Sequence, residues 1–272
     1  MRQRLRQEDG FTLPELLTTM TIGLILVLAT MTLVEVTMRR TGESQDRVEA
    51  LQGGRIALDT MTRELRSRVC IPRVADVDAP QFSIDAASPD SITFFTDMRD
   101  TSTGGSTAVA SGYIAGPDKR TLTYVPDAAK PINSKIVESV YPAFTLTGSV
   151  YSYKATPLRT RDLLTNVQRA VGTVNGTTVT IPIFQYFQFD YDKSEAANEE
   201  FPSPQWPVVN ATDVTQPLIS DQLRRVAKIR ITYRANARKR VDGKASTVFT
   251  DEVFTRNVDP NAEPDELSEP CK

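Results

Sequence analysis

Gly10, Phe11 and Glu15 are the residues near the N-terminus whose types and order point to chemistry. A short charged stretch ends at Gly10, Phe11 follows it, and Glu15 lies at the edge of an apolar run. Burying an unpaired carboxylate is strongly unfavourable, so a glutamate that enters an apolar environment needs a positively charged partner. The alternative is that Glu15 stays at the level of the lipid headgroups, where no partner is needed.

Two cysteines, Cys70 and Cys271, are too far apart in the chain for a short-range zinc motif. They could form one disulfide if the globular part faces an oxidising compartment. Cys70 follows a predicted helix and Cys271 lies in a loose tail, which the bond would hold in place. The alternative is that they are two unrelated thiols.

Histidine is absent from the 272 residues. Its absence removes the commonest general base, the commonest metal ligand and the Ser–His and Cys–His nucleophile pairs. We therefore expect the protein not to be an enzyme. The net charge of −2 provides no general positive field that would attract nucleic acid or anionic lipid.

Two groups of carboxylates lie in predicted loops, and carboxylate-rich loops can hold calcium. The groups consist of Asp76 and Asp78 and of Glu195, Glu199 and Glu200. Neither group has a recognisable calcium-loop spacing, so we interpret both as solvated surface. We expect no metal and no cofactor, with calcium as the alternative.

The most basic stretch of the chain covers residues 224–240. It contains Arg224, Arg225, Lys228, Arg230, Arg234, Arg238, Lys239 and Arg240. Such a stretch could contact phosphates, as a DNA-uptake system would require. It lacks interleaved aromatic side chains that would stack on single-stranded bases. We expect a solvated strand face, or contacts with acidic neighbours, rather than nucleic acid as a partner.

Residues 16–34 carry no charge and would span roughly 28 Å as a helix, close to the thickness of a bilayer core. Threonines in this span can donate their hydroxyls to carbonyls of the preceding turn, which makes them tolerable in lipid. Arg2, Arg4 and Arg6 precede the span and favour a cytoplasmic N-terminus. Further arginines follow the span, so the charge asymmetry is modest.

Three interpretations of the apolar span compete: a cleaved secretory signal, a plain transmembrane anchor, and a precursor that is cut before the span. A secretory signal needs a cleavage site of small residues after its apolar core. The residues after Val34 read EVTMRR and make a poor site. A plain anchor gives no reason for the order of Gly10, Phe11 and Glu15, which favours the third interpretation.

Residues 10–17 read GFTLPELL. They resemble the N-terminal cleavage and methylation motif of type IV pilins and pseudopilins at every defined position. Pro14 takes the variable position and would lie in the first helical turn, where its missing N–H matters little. The resemblance implies a single-pass protein of the cytoplasmic membrane, with its N-terminus inside and its globular domain outside. The protein would later join a pilus or filament at the cell surface or in the envelope.

The resemblance also implies a role for each motif residue. Gly10 would end a leader, residues 1–10, that prepilin peptidase removes. Phe11 would become the new N-terminus and would be N-methylated. Glu15 would pair with the N-terminal amine of a neighbouring subunit. The implied partners are prepilin peptidase, other pilins or pseudopilins, and the assembly platform in the membrane.

The remaining chain divides by composition into segments. We predict a transmembrane or filament-core helix at 11–38, its amphipathic continuation at 39–72, an antiparallel β-rich domain at 73–256 and an acidic tail at 257–272. The continuation places apolar side chains on one helical face, namely Val48, Leu51, Leu58, Met61, Leu65 and Val69. Glycines weaken it at Gly42, Gly53 and Gly54, which we interpret as flexible points, and Ile71 and Pro72 end it.

Strands are predicted from alternating apolar residues and turn signals at 91–96, 121–125, 168–174, 177–184, 228–234 and 246–256. Asn175 and Gly176 indicate a hairpin turn, and Asp242 and Gly243 suggest another. Residues 99–120 and 193–220 are predicted loops.

A long N-terminal helix packed on an antiparallel sheet is an α+β, pilin-like architecture. Residues 54–66, which read GRIALDTMTRELR, and residues 253–257, which read VFTRN, resemble J-type minor pseudopilins and W-type minor pilins. Together these features indicate a minor subunit of a type IV pilus or a type II secretion-like filament. The alternative is a monomeric, membrane-anchored extracellular binding or adhesin domain.

Overall fold

The computed structural model describes residues 12–69, 71, 83–96, 112–147, 150–174, 176–188, 206–207, 217–218, 222–223, 226–237 and 246–254. The chain divides into two compact units, Met1–Asp46 and Arg47–Lys272, and helix α1, Leu13–Arg66, contributes residues to both. The strands among the described residues are β1 (Ile84–Ser88), β2 (Ser91–Thr96), β3 (Asp118–Val125), β4 (Lys135–Tyr141), β5 (Ala143–Thr147), β6 (Val150–Tyr153), β7 (Arg159–Thr165), β8 (Val167–Gln168), β9 (Val171–Val174), β10 (Thr177–Thr180), β11 (Phe184–Gln188), β12 (Trp206–Pro207), β13 (Lys228–Asn236) and β14 (Ser246–Phe254). A long N-terminal helix and an antiparallel sheet domain confirm the predicted α+β fold.

Helix α1 ends at Arg66, so the prediction that it continues to residue 72 was wrong. The backbone N–H of Val69 donates to the carbonyl of Phe95, and Arg68 forms a β-bridge with Thr96. The chain leaves the helix because these backbone groups pair with the end of β2 instead of with the preceding helical turn.

The second unit buries one face of α1 against its sheets. Ala57, Met61 and Leu65 are fully buried there and join the main hydrophobic core. Leu58 packs against this core, as predicted. Val48 is 47% exposed, so the buried face begins later along the helix than the sequence pattern suggested.

Gly54 permits close packing and is not the flexible point that we predicted. It is buried, and a Cβ atom added to it would lie 2.5 Å from Cε2 of Phe249 on β14. Two carbon atoms that are not bonded to each other cannot come this close. Only a residue without a side chain therefore lets the helix approach β14 so closely.

Two antiparallel sheets provide the other walls of the core. The first has the strand order β1-β2-β3-β4-β7, and the second has the order β12-β11-β13-β14, with β8 also paired to β13. Strand β13 buries Ile229, Ile231, Tyr233 and Ala235 on one face, as its alternation predicted. Strands β5 and β6 form a separate two-stranded ribbon, as do β9 and β10.

The predicted strands at 91–96 and 228–234 are confirmed, and the one at 246–256 is described as far as Phe254. The predicted hairpin is also confirmed, since β9 pairs with β10 and Gly176 has a φ of +79°. The predicted strand at 168–174 is wrong as one element, because β8 pairs with β13 whereas β9 pairs with β10. Strand β3 contains the predicted strand at 121–125 and begins within a predicted loop. The predicted strand at 177–184 is wrong as one element, because β10 ends at Thr180 and β11 begins at Phe184. The sequence patterns missed β1, β4 to β7, β12 and all but the first residue of β11.

Candidate functional site

The described chain begins at Thr12, so Gly10 and Phe11 lie outside the described residues. Glu15 lies in the first turn of α1 and is exposed. The backbone N–H of Thr12 donates to Oε2 of Glu15 at 3.3 Å, and the Thr12 hydroxyl donates to the same atom at 3.1 Å. The N–H of Leu16 donates to the carbonyl of Thr12 at 3.1 Å and starts the helical hydrogen-bond ladder.

This local arrangement follows from the sequence Thr12-Leu13-Pro14-Glu15. A threonine at the N-cap with a glutamate three residues later is the capping-box pattern, in which the glutamate accepts the N–H of the cap residue. A carboxylate in the first turn also interacts favourably with the positive end of the helix dipole. Glu15 therefore presents a negative charge at the N-terminal end of α1, next to the position where the predicted cleavage would create an amine.

The apolar half of α1 follows directly after Glu15. Among the described residues, α1 is the helix that is long and apolar enough to cross a membrane, with a mean hydropathy of 2.1 over its best 18-residue window. The aliphatic side chains of this half are largely exposed, and Leu24, Ile25 and Leu26 each expose at least 60% of their surface. An apolar helix this exposed requires lipid or other apolar helices around it.

The threonines within this span satisfy their hydroxyls inside the helix, as predicted. Thr18 donates to the carbonyl of Glu15 at 3.0 Å, and Thr21 donates to that of Thr18 at 2.8 Å. Thr30 and Thr32 make equivalent bonds further along the helix. The hydroxyl groups therefore expose little unsatisfied polarity to an apolar surrounding.

Three buried charges and one exposed arginine form a group that the sequence did not predict. We name Glu64, Arg120, Glu138 and Arg161 the charge cluster. Glu64 and Glu138 expose 2% and 0% of their side chains, Arg120 exposes 5%, and Arg161 exposes 42%. Burial of this kind is tolerated when opposite charges meet with good geometry.

Both arginines of the charge cluster bridge the two glutamates. Nη1 of Arg120 lies 2.8 Å from Oε1 of Glu138 and 3.3 Å from Oε1 of Glu64. Nη2 of Arg161 lies 2.9 Å from Oε1 of Glu64, and its Nε donates to Oε2 of Glu138. The cluster thereby joins α1 to strands β3, β4 and β7.

A sequence signal for the charge cluster exists in the strand alternation. Glu138 shares its strand face with Ile136 and Val140, which are both buried, and Arg120 shares its face with Leu122 and Tyr124. A charge at an apolar position of a strand indicates a buried partner. Neither strand by itself shows which distant residue provides that partner.

Two cations of the basic stretch predicted at 224–240, Lys228 and Arg230, have partners within the domain. Nζ of Lys228 lies 3.3 Å from Oε2 of Glu252, and Nη2 of Arg230 lies 2.7 Å from its Oε1. Both cations also lie over the ring of Phe187, at 4.6 and 4.8 Å from its centroid. Arg224, Arg225, Arg238, Lys239 and Arg240 lie outside the described residues.

Several other predicted site residues also lie outside the described part of the chain. They are Cys70, Cys271, Asp76, Asp78, Glu195, Glu199 and Glu200. The disulfide therefore stays a prediction. Within the described ranges, no group of three or more Cys, Asp or Glu side chains could hold a metal ion.

Comparison with known families gives one finding. Residues 5–31 match the family described as the Prokaryotic N-terminal methylation motif. No curated protein and no solved structure shows significant similarity to the chain. The match covers the predicted leader boundary, Glu15 and most of the apolar span, and it indicates a structural subunit rather than an enzyme. Motif and apolar helix together support a membrane-anchored, type IV pilin-like substrate of prepilin peptidase.

Proposed function

We propose that the protein is a minor subunit of a type IV pilus or of a type II secretion-like filament. The observation that carries this proposal is the continuity of the N-terminal segment: the methylation motif runs without interruption into the exposed span 16–34, which carries no charge. A filament subunit needs both features on one element, because the motif directs processing and the helix provides the surface that packs in the filament core.

Processing would start with the leader, residues 1–10, on the cytoplasmic side of the membrane. Arg2, Arg4 and Arg6 favour this orientation, which places the globular domain outside. Prepilin peptidase would cut between Gly10 and Phe11, and Phe11 would then be N-methylated. Cleavage removes the charges of the leader and leaves an apolar helix whose first charged side chain is Glu15.

Assembly would bring the apolar helices of neighbouring subunits together at the membrane platform. Lipid chains are as apolar as these side chains, so helix association there depends on close packing and on polar contacts. Glu15 supplies such a contact, since its exposed carboxylate can meet the N-terminal amine of a neighbouring subunit. Pairing of these charges would define the axial register between subunits.

A minor role is supported by the resemblance of residues 54–66 to J-type and W-type subunits. In the second unit, this segment packs on the sheets through Ala57, Met61 and Leu65. Minor subunits of these types act in priming or at the tip of a filament. The machine that the subunit joins decides whether the filament serves adhesion, motility, secretion or DNA uptake.

Intact-mass measurement and N-terminal sequencing of the protein from its native membranes test the proposal. We expect a chain that starts at Phe11 and carries one additional methyl group. A matched pair of leader variants sharpens the result: Gly10→Leu should block cleavage, whereas Glu8→Gln should leave it unchanged. A wild-type chain that starts at Met1 would overturn the proposal and favour a monomeric, membrane-anchored binding domain.

A further inference from the structure

Arg68 is a partly buried cation that has no counter-ion among the described residues. Its Nε and Nη1 atoms are buried, and neither makes a hydrogen bond within the described part of the chain. Burial lowers the pKa of its guanidinium from 12.5 to about 10, with no offsetting effect from a carboxylate of the described residues. The group therefore keeps its charge at neutral pH, and a buried charge needs an opposite charge beside it.

The backbone on both sides of Arg68 is anchored to the domain. The hydroxyls of Ser67 and Thr96 share a hydrogen bond of 2.8 Å, and the N–H of Val69 donates to a carbonyl of β2 at 3.0 Å. Ile71, which comes shortly afterwards, is buried with 5% of its surface exposed. A cation on a backbone that is already ordered loses little conformational entropy when an anion binds to it.

Strand β14 runs along α1 toward the C-terminal end of the helix. The ring of Phe249 lies against Gly54. Two residues later along the strand, Asp251 accepts a 3.0 Å hydrogen bond from the hydroxyl of Thr62. Because Thr62 lies about two turns beyond Gly54 in the helix, strand and helix advance in the same direction. Strand β14 therefore ends on the side of the domain where α1 ends.

The acidic tail, residues 257–272, follows shortly after β14 and contains five carboxylates and one lysine. Its acids are Asp259, Glu263, Asp265, Glu266 and Glu269. The first of them comes five residues after Phe254, and five extended residues reach up to about 17 Å. The tail can thus bring a carboxylate to the end of α1. The predicted disulfide between Cys70 and Cys271 would hold the tail at the same end, because Cys70 is two residues from Arg68.

We propose that Arg68 binds a carboxylate of the acidic tail of the same chain, and that the tail thereby lies across the C-terminal end of α1. A guanidinium is suited to this role because its planar N–H groups can donate to both oxygens of one carboxylate. Arg63 and Arg66, which are exposed in the last turn of α1, add positive charge at the same end of the helix. The ion pair would hold the tail whether or not the predicted disulfide forms.

A double-mutant cycle on the full chain in detergent, measured by urea unfolding, tests the proposal. Replacing the tail acids by amides should lower the folding constant by at least about tenfold, because the buried guanidinium loses its anion. In Arg68→Gln the same replacement should change it by less than about twofold, since the cation is already absent. Arg55→Gln is the matched control, an exposed change on the same helix in which the replacement should keep its full effect. Equal effects in all three backgrounds would overturn the proposal. The replaced acids are Asp259→Asn, Glu263→Gln, Asp265→Asn, Glu266→Gln and Glu269→Gln.

Carbodiimide crosslinking supplies a second readout that identifies the carboxylate and does not compare stabilities. Arg68→Lys keeps the positive charge and supplies an amine that the reagent joins to a carboxylate in contact with it. Mass spectrometry should find this amide bond to a tail acid, in a crosslinked chain that migrates as a monomer. The proposal would be refuted by a bond to Asp76 or Asp78, by a bond between two chains, or by no bond at position 68. An equal yield of the tail bond from Arg55→Lys would refute it as well.

Discussion

The hydroxyl of Tyr233 on β13 donates a 2.6 Å hydrogen bond to the backbone carbonyl of Gly54 in α1. Both groups are buried, and the Tyr233 ring stacks on Phe249 with centroids 5.6 Å apart. Phe249 in turn fills the space that a side chain at residue 54 would occupy. The position of this part of α1 on the second sheet is therefore fixed by Gly54, by the hydroxyl of Tyr233 and by the ring of Phe249.

Tyr233→Phe should lower the free energy of unfolding by about 1 kcal/mol, because it removes this hydrogen bond while keeping the ring. Urea unfolding of the full chain in detergent measures the change. Tyr113→Phe serves as the comparison, since this side chain is partly exposed and its hydroxyl makes no hydrogen bond among the described residues. An unchanged midpoint for Tyr233→Phe would show that the bond contributes nothing to stability.

Gly54→Ala should destabilise the protein by about 1–3 kcal/mol, because its methyl group would overlap the ring of Phe249. The neighbouring Gly53→Ala is the matched control. Among the described residues, its methyl group would meet Leu164 alone, at an ordinary distance of 3.5 Å. Alanine is the better helix former by about 1 kcal/mol, so Gly53→Ala should stabilise the protein. Thermal unfolding that ranks the two variants in the opposite order would contradict this account of Gly54.

Arg120→Met should lower the free energy of unfolding by about 3–5 kcal/mol, because it leaves the buried carboxylates of Glu64 and Glu138 with one cation fewer. The control is Lys135→Met, which removes a pair with Asp162 whose side chains are both more than 40% exposed. Exposed pairs contribute about 1 kcal/mol or less. Similar urea midpoints for both variants would mean that the charge cluster contributes no more than a surface pair.

Glu15→Ala should leave cleavage after Gly10 intact but reduce incorporation into filaments by at least about tenfold, because the neighbour's amine would lose its partner. Sheared filaments and membranes from the same cells, compared by immunoblot, measure this ratio. Glu35→Ala removes an exposed carboxylate further along the same helix and should incorporate normally. Normal incorporation of Glu15→Ala would refute the pairing role while leaving the processing proposal intact.

The local features of this protein could be predicted from its sequence because they depend on neighbours in the chain. The order of Gly10, Phe11 and Glu15 and the charge-free length after them identify the processing motif and the apolar helix without any tertiary partner. The threonine bonds within α1 and the turn at Gly176 are local in the same sense. Strong alternation likewise sufficed for β2 and β13.

Only the tertiary structure determined which contacts the residues between the apolar span and the last strands make. Glu64, Arg120, Glu138 and Arg161 come from four separate elements, and the alternation that marks Arg120 and Glu138 as buried does not show which residues they meet. They become one cluster because α1, β3, β4 and β7 meet there and bury Glu64, Arg120 and Glu138. From the sequence, Gly54 is likewise predicted to weaken the helix. The structure shows instead that the ring of Phe249 packs against it. Both features depend on contacts between distant segments, and the spacing of residues along a chain does not encode which distant segments will meet.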